Sequence, residues 1–308
     1  MNVAFIGTST FACPALRALA RMHSVCLVVT QPDRPVGRHA KLTPAPVKIV
    51  ANEIGLPVYQ PERINEEAAV SRLRDAAADA FVVASYGQML RPSVFSIPRF
   101  GAINIHASLL PAYRGAAPVH WAIIRGEDTT GITTFLIDEG MDTGDMLLTR
   151  SLQIGPNETA EELEARLAEL GALAILDTLT GLESGDVTAT PQPEKGVSRA
   201  PLLSREDGHI DWASPARTIH NLVRGTHPWP GAWTTLDGER VKIHRTKPSG
   251  IGRGHVEPGE IGPREGRRLL IGTQDELLEI VELQRDCKPR TTGEAFLNGI
   301  HGEARFAS

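Results

Sequence analysis

Along the first half of the chain, short apolar runs alternate with stretches in which leucine and alanine recur at helical spacing. "NVAFIG" ends in Gly7 and gives way to "PALRALARM". "VCLVVT" is a second run, "LPVYQP" a brief one bounded by prolines, and "EEAAVSRLRDAAA" carries a helical stripe into the apolar "DAFVVASYG". Strand followed by helix, repeated at this spacing, predicts a right-handed and mostly parallel sheet. "GAINIHAS" predicts another strand, "APVHWAIIRGE" a helix and "GITTFLIDEG" a further strand. The longest predicted helix runs from Asn157 to Leu182, where Thr159 and Glu162 stand at capping-box spacing and Leu163, Leu167, Leu170 and Ala174 form an apolar stripe.

The pattern changes at "TATPQPEKGVSRAPLLSRED", where prolines and charges replace periodic hydrophobicity. Beyond it, a short helix, "SPARTIHNLVRG", precedes strand candidates separated by glycines: "GAWTTL", "ERVKIHRT", "PGEIGP", "RRLLIGT" and "ELLEIVELQ". Many short strands with glycine turns predict a small barrel or sandwich. The expected fold class is therefore α/β. A Rossmann-like, mostly parallel sheet domain spans 1–188, a linker 189–207, and a small C-terminal β-barrel of OB-like kind 208–308.

Composition narrows the class of function. A net charge of −5 and a pI near 6.1 argue against a protein held to nucleic acid by bulk positive charge, so RNA contact requires local basic patches. Cys13, Cys26 and Cys287 are scattered and odd in number, which predicts neither a disulfide framework nor a cysteine zinc site. No run approaches the ~20 apolar residues of a membrane span, and the N-terminus reads as strand, turn and helix rather than as a signal peptide. A cytoplasmic monomer without membrane contact is expected. The first turn, "GTSTFACP", lacks the second glycine of GxGxxG, which sets nicotinamide and flavin chemistry aside and leaves Gly7 as a strand-to-helix turn bordering a cleft.

The chemistry concentrates in "NIHASLLPAYRG". On a strand, Asn104 and His106 share one face. An amide can donate to a developing oxyanion and an imidazole can move a proton near neutrality. Ser108 has no GxSxG elbow, so the pair suits transfer to an external nucleophile better than a covalent enzyme intermediate. A structural histidine is the plain alternative. A carboxylate partner is offered by "FLIDEGMDTGDML", with Asp138, Glu139, Asp142 and Asp145. The glycines around Asp142 permit a tight loop that aims it at the imidazole, the alternative being a solvated acidic turn.

Asn104, His106 and Asp142, with "SLLPAYRGAAP" and "DEGMDTGD", resemble the signature of the 10-formyltetrahydrofolate-dependent formyltransferases. With "TQPDRPVGRHAKLTPAPVK", "GHIDW" and "HPWPGAW", the resemblance extends almost end to end to the members of that family that formylate methionyl-tRNA. It implies catalytic roles for Asn104, His106 and Asp142, and a formyl donor lying along Ser108, Leu109, Leu110 and Pro111. It places the donor's pterin at Tyr86, Gly87, Gln88, Met89 and Leu90, and it requires no metal. The acceptor it implies is the α-amine of methionine on initiator tRNA. The proline-rich basic segment from Gln31 to Lys48 carries Arg34, Arg38, His39, Lys41 and Lys48. By resemblance it enters the acceptor arm, with Arg38 matching the arginine most closely tied to that role; a solvated basic loop is the alternative. Further basic candidates are Arg199, Arg205, Arg224, Arg240, Lys242, Arg245 and Lys247, while Leu202 stands where similar proteins often carry a lysine. Two competing readings keep the folate chemistry, with a sugar amine or water as acceptor, and a third makes the chain a non-catalytic RNA-binding module.

Overall fold

A computed structural model describes residues 1–36, 41–263, 265–299 and 305–307. The chain divides into two compact units. One comprises Met1–Pro118, Thr129–Gln153 and Glu164–Ala200, the other Val119–Asp128, Ile154–Leu163 and Pro201–Ser308. Strand and helix alternate as the apolar pattern predicts: β1 (Asn2–Gly7), α1 (Cys13–Met22), β2 (Ser24–Val29), β3 (Arg34–Val36), β4 (Lys41–Thr43), α2 (Pro46–Glu53), β5 (Val58–Tyr59), α3 (Glu67–Asp75), β6 (Ala80–Ala84), α4 (Pro92–Phe95), β7 (Ala102–His106), α5 (Pro118–Ile124), β8 (Thr129–Leu136), β9 (Met146–Gln153) and α6 (Ala160–Ser184).

The sheet of the first unit has seven strands in the order β5-β2-β1-β6-β7-β8-β9. The first five of these run parallel, and β8 and β9 are antiparallel additions. After β1 the chain builds toward one edge and then crosses to the other, so the strand order reverses between β1 and β6. That is where α/β sheets open a crevice at their carboxyl ends. Gly7 sits at this point. A Cβ there would lie 2.8 Å from the Ala84 carbonyl oxygen and 3.0 Å from the Ala12 Cβ, so the glycine is demanded by close packing of strand against strand and helix. At the start of α6 the expected capping box is present: Thr159 N donates to Glu162 Oε2 at 2.8 Å, and Glu162 N donates to Thr159 Oγ1 at 3.3 Å. No helix among the described residues is long and apolar enough to cross a membrane.

Two segments differ from their sequence reading. The ends of the basic segment are not irregular loop: β3 and β4 pair antiparallel, Arg34 opposite Thr43 and Val36 opposite Lys41. Extended residues with leftover backbone donors and acceptors satisfy each other by such pairing. The stretch 190–200 is likewise ordered on the first unit. Thr190 bridges Met146 and Arg199 bridges Arg114, so this proline-rich segment runs as an extended strap. Prolines forbid helix here but leave the neighbouring N–H and C=O groups free to pair.

In the second unit α7 (Ala216–Gly225) packs on an antiparallel sheet of β10 (Ala232–Leu236), β11 (Glu239–Gly252), β12 (Leu269–Gly272), β13 (Glu276–Arg285), β14 (Thr291–Thr292) and β15 (Phe306–Ala307), with α8 (Gly293–Asn298) between the last two. The strands follow the path β12-β13-β11-β10-β15, with β14 beside β13. "PGEIGP" forms no strand of its own. Instead it stitches the two sheet edges together. Gly262 N donates to Leu270 O at 2.8 Å and Gly272 N to Glu260 O at 2.9 Å on the β12 side, while Phe306 N donates to Gly259 O at 2.8 Å on the β15 side. The sheet thus curls into the small barrel that the glycine-punctuated strands predict, and its edges are covered. Gly259 has φ +81° and a Cβ on it would meet the Phe306 carbonyl oxygen at 2.1 Å, which only glycine tolerates. Trp212, fully buried, anchors the core with Ile219, Val241, Leu278 and Phe306, and its indole N–H donates to Thr234 Oγ1 at 3.0 Å.

His220 of α7 is buried with both ring nitrogens engaged: Nε2 donates to Pro156 O at 3.1 Å and Nδ1 accepts from the Thr246 hydroxyl at 2.9 Å. Burial pushes its pKa below the ordinary 6.5, and the Arg224 and Arg217 charges add to that against the raising effect of the Pro156 carbonyl. Below the unfolded value the unfolded chain binds the extra proton, so the stabilisation is complete above 6.5 and is lost as pH falls toward the lower folded value. The thermal midpoint should fall between about pH 7.5 and about pH 5.5, and a His220→Gln variant should show a shallower fall in the same scanning calorimetry series.

Candidate active site

β7 lies between β6, parallel to it, and β8, antiparallel to it, with Val83 opposite Asn104 and Thr133 opposite His106. Alternation along β7 puts Asn104 and His106 on one face at its carboxyl end. His106 is 5% exposed, and its Nε2 lies 3.0 Å from the carbonyl oxygen of Tyr113. A carbonyl only accepts, so Nε2 carries the hydrogen and Nδ1 is the nitrogen left for chemistry. Nδ1 faces Asp142, whose Oδ2 is 3.7 Å away. This is within ion-pair reach but beyond a direct hydrogen bond. The Asn104 side chain is half-buried and makes no hydrogen bond among the described residues, so its amide hydrogens are available to a substrate.

Reaching Asp142 requires the chain to double back. Because β8 is antiparallel, Leu136 at its end pairs with Ile103 near the start of β7, and the loop 137–145 must return toward His106. Asp138, one of the four acidic candidates, shapes that return by accepting from Gly140 N at 3.0 Å and from the Thr143 hydroxyl at 2.7 Å. Gly144 closes it: a Cβ there would sit 1.7 Å from the Leu136 carbonyl oxygen. Asp142 itself takes a left-handed conformation, φ 55°, which Asp tolerates better than most residues. Its Oδ2 accepts from Gly115 N at 2.8 Å. Neither Glu139 nor Asp145 reaches His106.

The loop is clasped from outside by Gln192, in the strap. Gln192 Nε2 donates to the carbonyl oxygens of Asp142 and Gly144 at 2.9 and 2.8 Å, and its Oε1 accepts from Arg114 Nε and Nη2 at 3.0 and 2.7 Å. Arg114 is the arginine of "PAYRG", held to the strap through Ser198 O and Ala200 N as well. One amide therefore fixes both the segment after β7 and the carboxylate loop. Sequence reasoning missed Gln192 because it lies where the pattern is aperiodic, and no local signal marks it. It also missed Thr133, fully buried, whose hydroxyl donates to Ser108 O at 2.8 Å and accepts from Leu110 N at 3.1 Å, setting the turn at the end of β7.

The residues implied for the donor fall into two groups. Ser108 and Leu110 are buried, and Ser108 Oγ donates to Ala112 O at 2.6 Å; Leu109 and Pro111 are partly exposed. In the loop after β6, Tyr86 and Leu90 belong to the core, and burial, with the neighbouring Tyr59, pushes the Tyr86 phenol up to about 12. Gln88 has its side chain turned to the backbone of Ile64 and Glu62, Gly87 has φ 88°, and Met89 is 51% exposed. Met89 and Gln88 border an open groove of about 460 Å³ with Arg63, Asn65 and Arg91. The side chains of this loop are thus mostly fixed by the protein; Met89 is the exposed one, and its carbonyl oxygen accepts from Asn65 Nδ2 at 2.8 Å.

Of the basic candidates, Arg34, Arg199, Arg205 and Lys242 are exposed, as is Leu202 at 73%. Arg38 and His39 lie outside the described residues, and Lys41 is described only as backbone of β4. Lys48 is engaged in the fold: its ammonium sits 2.7 Å from Asp33, which also accepts from Gln60 at 2.8 Å. Among the described residues no group of three or more His, Cys, Asp or Glu side chains is placed to hold a metal ion.

Residues 1–179 match the formyl transferase model and residues 202–301 the model of the formyl transferase C-terminal domain, and the chain belongs to that family. Within the family it falls among the methionyl-tRNA formyltransferases. It is 46% identical over 304 residues to the methionyl-tRNA formyltransferase of Geobacter metallireducens, covering 98% of this chain and 97% of that protein. It is 46% identical over 300 residues to that of Solibacter usitatus, covering 97% and 96%. Solved structures share the fold at lower identity. WlaRD, a sugar 3N-formyl transferase, superposes with a TM-score of 0.69 at 17% identity, covering 94% of this chain and 99% of that one. HypX from Aquifex aeolicus in complex with tetrahydrofolic acid gives 0.64 at 19%, covering 96% of this chain and 46% of that one, so the chain spans about half the length of HypX.

Because Gln192 acts on Asp142 only through the loop backbone, Gln192→Leu should lower kcat for formyl transfer by about 10- to 100-fold, the scale of a misplacement near 1 Å, with KM values little changed. Steady-state kinetics with thermal unfolding of the same variant checks this. A fall in KM-independent turnover without comparable loss of stability is the expected outcome, and Gln192→Glu, which retains an acceptor for Arg114 but loses the donors, should not restore it.

Proposed function

We propose that the protein transfers the formyl group of 10-formyltetrahydrofolate to the α-amine of methionine esterified to initiator tRNA, giving N-formylmethionyl-tRNA for translation initiation and releasing tetrahydrofolate. The observation that carries this reading is the 46% identity with methionyl-tRNA formyltransferases over nearly the whole of both chains. It is supported by the side chains at the end of β7. The neutral amine attacks the formyl carbon, a C–N bond forms, the bond from that carbon to N10 of the folate breaks, and the proton lost by the amine ends on N10. Asn104 donates to the oxyanion of the tetrahedral intermediate. His106 takes up and returns the proton at Nδ1, its ring prevented from turning by the Nε2 hydrogen bond to Tyr113 O. Asp142 stabilises the imidazolium that forms, from 3.7 Å.

In this reading the donor lies along Ser108 to Pro111, and its pterin meets the loop Tyr86 to Leu90, where a flat ring finds the exposed Met89 side chain. The acceptor arm is received by the basic segment of Arg34, Arg38 and Lys41, and Arg199, Arg205 and Lys242 supply phosphate contacts from exposed positions. An acidic protein then binds RNA through patches rather than through net charge.

The test is formylation of methionylated initiator tRNA by the purified protein, read as formylmethionine released by ester hydrolysis. His106→Ala should lower kcat about 10²- to 10⁴-fold, and Asn104→Ala about 10²- to 10³-fold. Arg38→Glu should raise KM for the tRNA and leave that for the folate unchanged. A wild-type protein that consumes the formyl donor with an amino sugar or water but not with the tRNA would sink the acceptor assignment and keep the folate chemistry.

A further inference from the structure

The second unit holds a cavity of about 150 Å³ that the formyl-transfer reading does not use. It is lined by Asn157, Thr159 and Val281, by His220, Val223 and Arg224 of α7, and by four consecutive residues of β11, His244, Arg245, Thr246 and Lys247. A regular strand sends consecutive side chains to opposite faces, so four in a row on one cavity need a distortion. The ladder supplies it. Ile243 pairs with Leu283, Arg245 with Glu282 and Thr246 with Ile280, so His244 is an extra residue on β11 and Val281 an extra one on β13. Paired bulges of this kind re-aim side chains, and both extra residues line the cavity.

The lining is one-sided in charge. Arg224, Arg245 and Lys247 are cationic, His220 and His244 can become so, Asn157 offers an amide, and no carboxylate among the described residues lines the space. Arg224 is 5% exposed, its Nε donating to Asn221 at 2.9 Å and its Nη1 to the carbonyls of Gly155 and Glu158 at 3.1 and 3.2 Å. Its Nη2 makes no hydrogen bond among the described residues and is not sealed from solvent. Lys247 forms no ion pair among the described residues, and Arg245 is paired at 3.3 Å with Glu162 at the exposed side. His244 donates through Nε2 to Gln284 Oε1 at 3.1 Å, leaving Nδ1 unengaged. Burial holds Arg224, His220 and His244 below their ordinary pKa values, against the raising effect of the Glu158 and Asp128 carboxylates on Arg224 and of Glu282 on His244.

We infer that this cavity is a binding site for one phosphate group, held by Arg224 Nη2, Lys247 and the Asn157 amide. A space of about 150 Å³ has room for several waters and so for an ion-sized group. A tetrahedral oxyanion matches a guanidinium donor set with an ammonium as second charge. The phosphate arrives either as free inorganic phosphate or as a phosphodiester of an RNA chain. The inference needs neither the folate chemistry nor the identity of the acceptor.

The experiment uses the full chain and two variants that act differently: Lys247→Glu, which reverses an exposed charge, and Val281→Phe, which fills the cavity without changing charge. Calorimetric titration with inorganic phosphate, against chloride of matched ionic strength, should give saturable binding in the wild type and at least tenfold weaker binding in both variants. Binding of initiator tRNA is measured in parallel over a salt series. If the phosphate is a phosphodiester of RNA, Val281→Phe weakens tRNA binding and Lys247→Glu also reduces the slope of log K against log salt by about one. If it is free phosphate, tRNA affinity of Val281→Phe equals that of the wild type while phosphate binding is lost. Absence of saturable phosphate binding, together with unchanged tRNA binding by Val281→Phe, overturns the inference. So does phosphate binding that survives both substitutions.

Discussion

The geometry of the first unit depends on one constraint: a carboxylate has to be brought to an imidazole from a strand that runs the wrong way. His106 is at the carboxyl end of β7, whereas β8 delivers the following loop to the opposite end, beside Ile103. Glycine at 140 and 144, a left-handed Asp142 and an internal turn at Asp138 together fold the loop back on itself. Such a loop has few apolar side chains to bury, so polar contacts hold it. The Gly115 amide takes the carboxylate, and Gln192 takes the two backbone carbonyls.

Fixing the imidazole is a separate task. Its Nε2 hydrogen is directed at the carbonyl of Tyr113, a residue in the left-handed region at φ 61°. The strained residue aims a backbone acceptor that a regular turn would point elsewhere. Asn104 carries the opposite requirement. A positioned donor is most useful where the protein leaves it unsatisfied, and the Asn104 amide makes no hydrogen bond among the described residues while His106 and Asp142 are bonded. Fixed neighbours and one open donor are what a site needs if it is to bind the charge that develops in a reaction rather than reorganise around it.

Much of this was legible in the residues, for physical reasons that differ from element to element. The strands of the parallel sheet are buried on both faces and therefore read as unbroken apolar runs, and the capping box of α6 has a fixed spacing that the contacts of Thr159 and Glu162 reproduce. Asn104 and His106 follow from alternation alone. What was not legible depends on chain segments distant in sequence. Gln192 meets Asp142 across fifty residues, Thr133 meets Ser108 through an antiparallel register, and the covering of the barrel edges by residues 259–262 involves strands whose own patterns do not mention one another. "PGEIGP" looks like a strand because it bridges two, and the basic segment looks like a loop because its ladder is too short to show alternation.

The strap also bears on where the protein can be cut. A fragment ending at 188 would contain Asn104, His106 and Asp142 and every strand of the parallel sheet, and so would look complete as a catalytic domain. It would lack the amide that clasps the carboxylate loop and the backbone that pairs with Arg114, both of which arrive only between 190 and 200. The segment joining the two units is consequently part of the architecture of the site. Its length and composition are less free to drift than those of a tether, and changes made there to alter the spacing of the units will be felt first at Asp142.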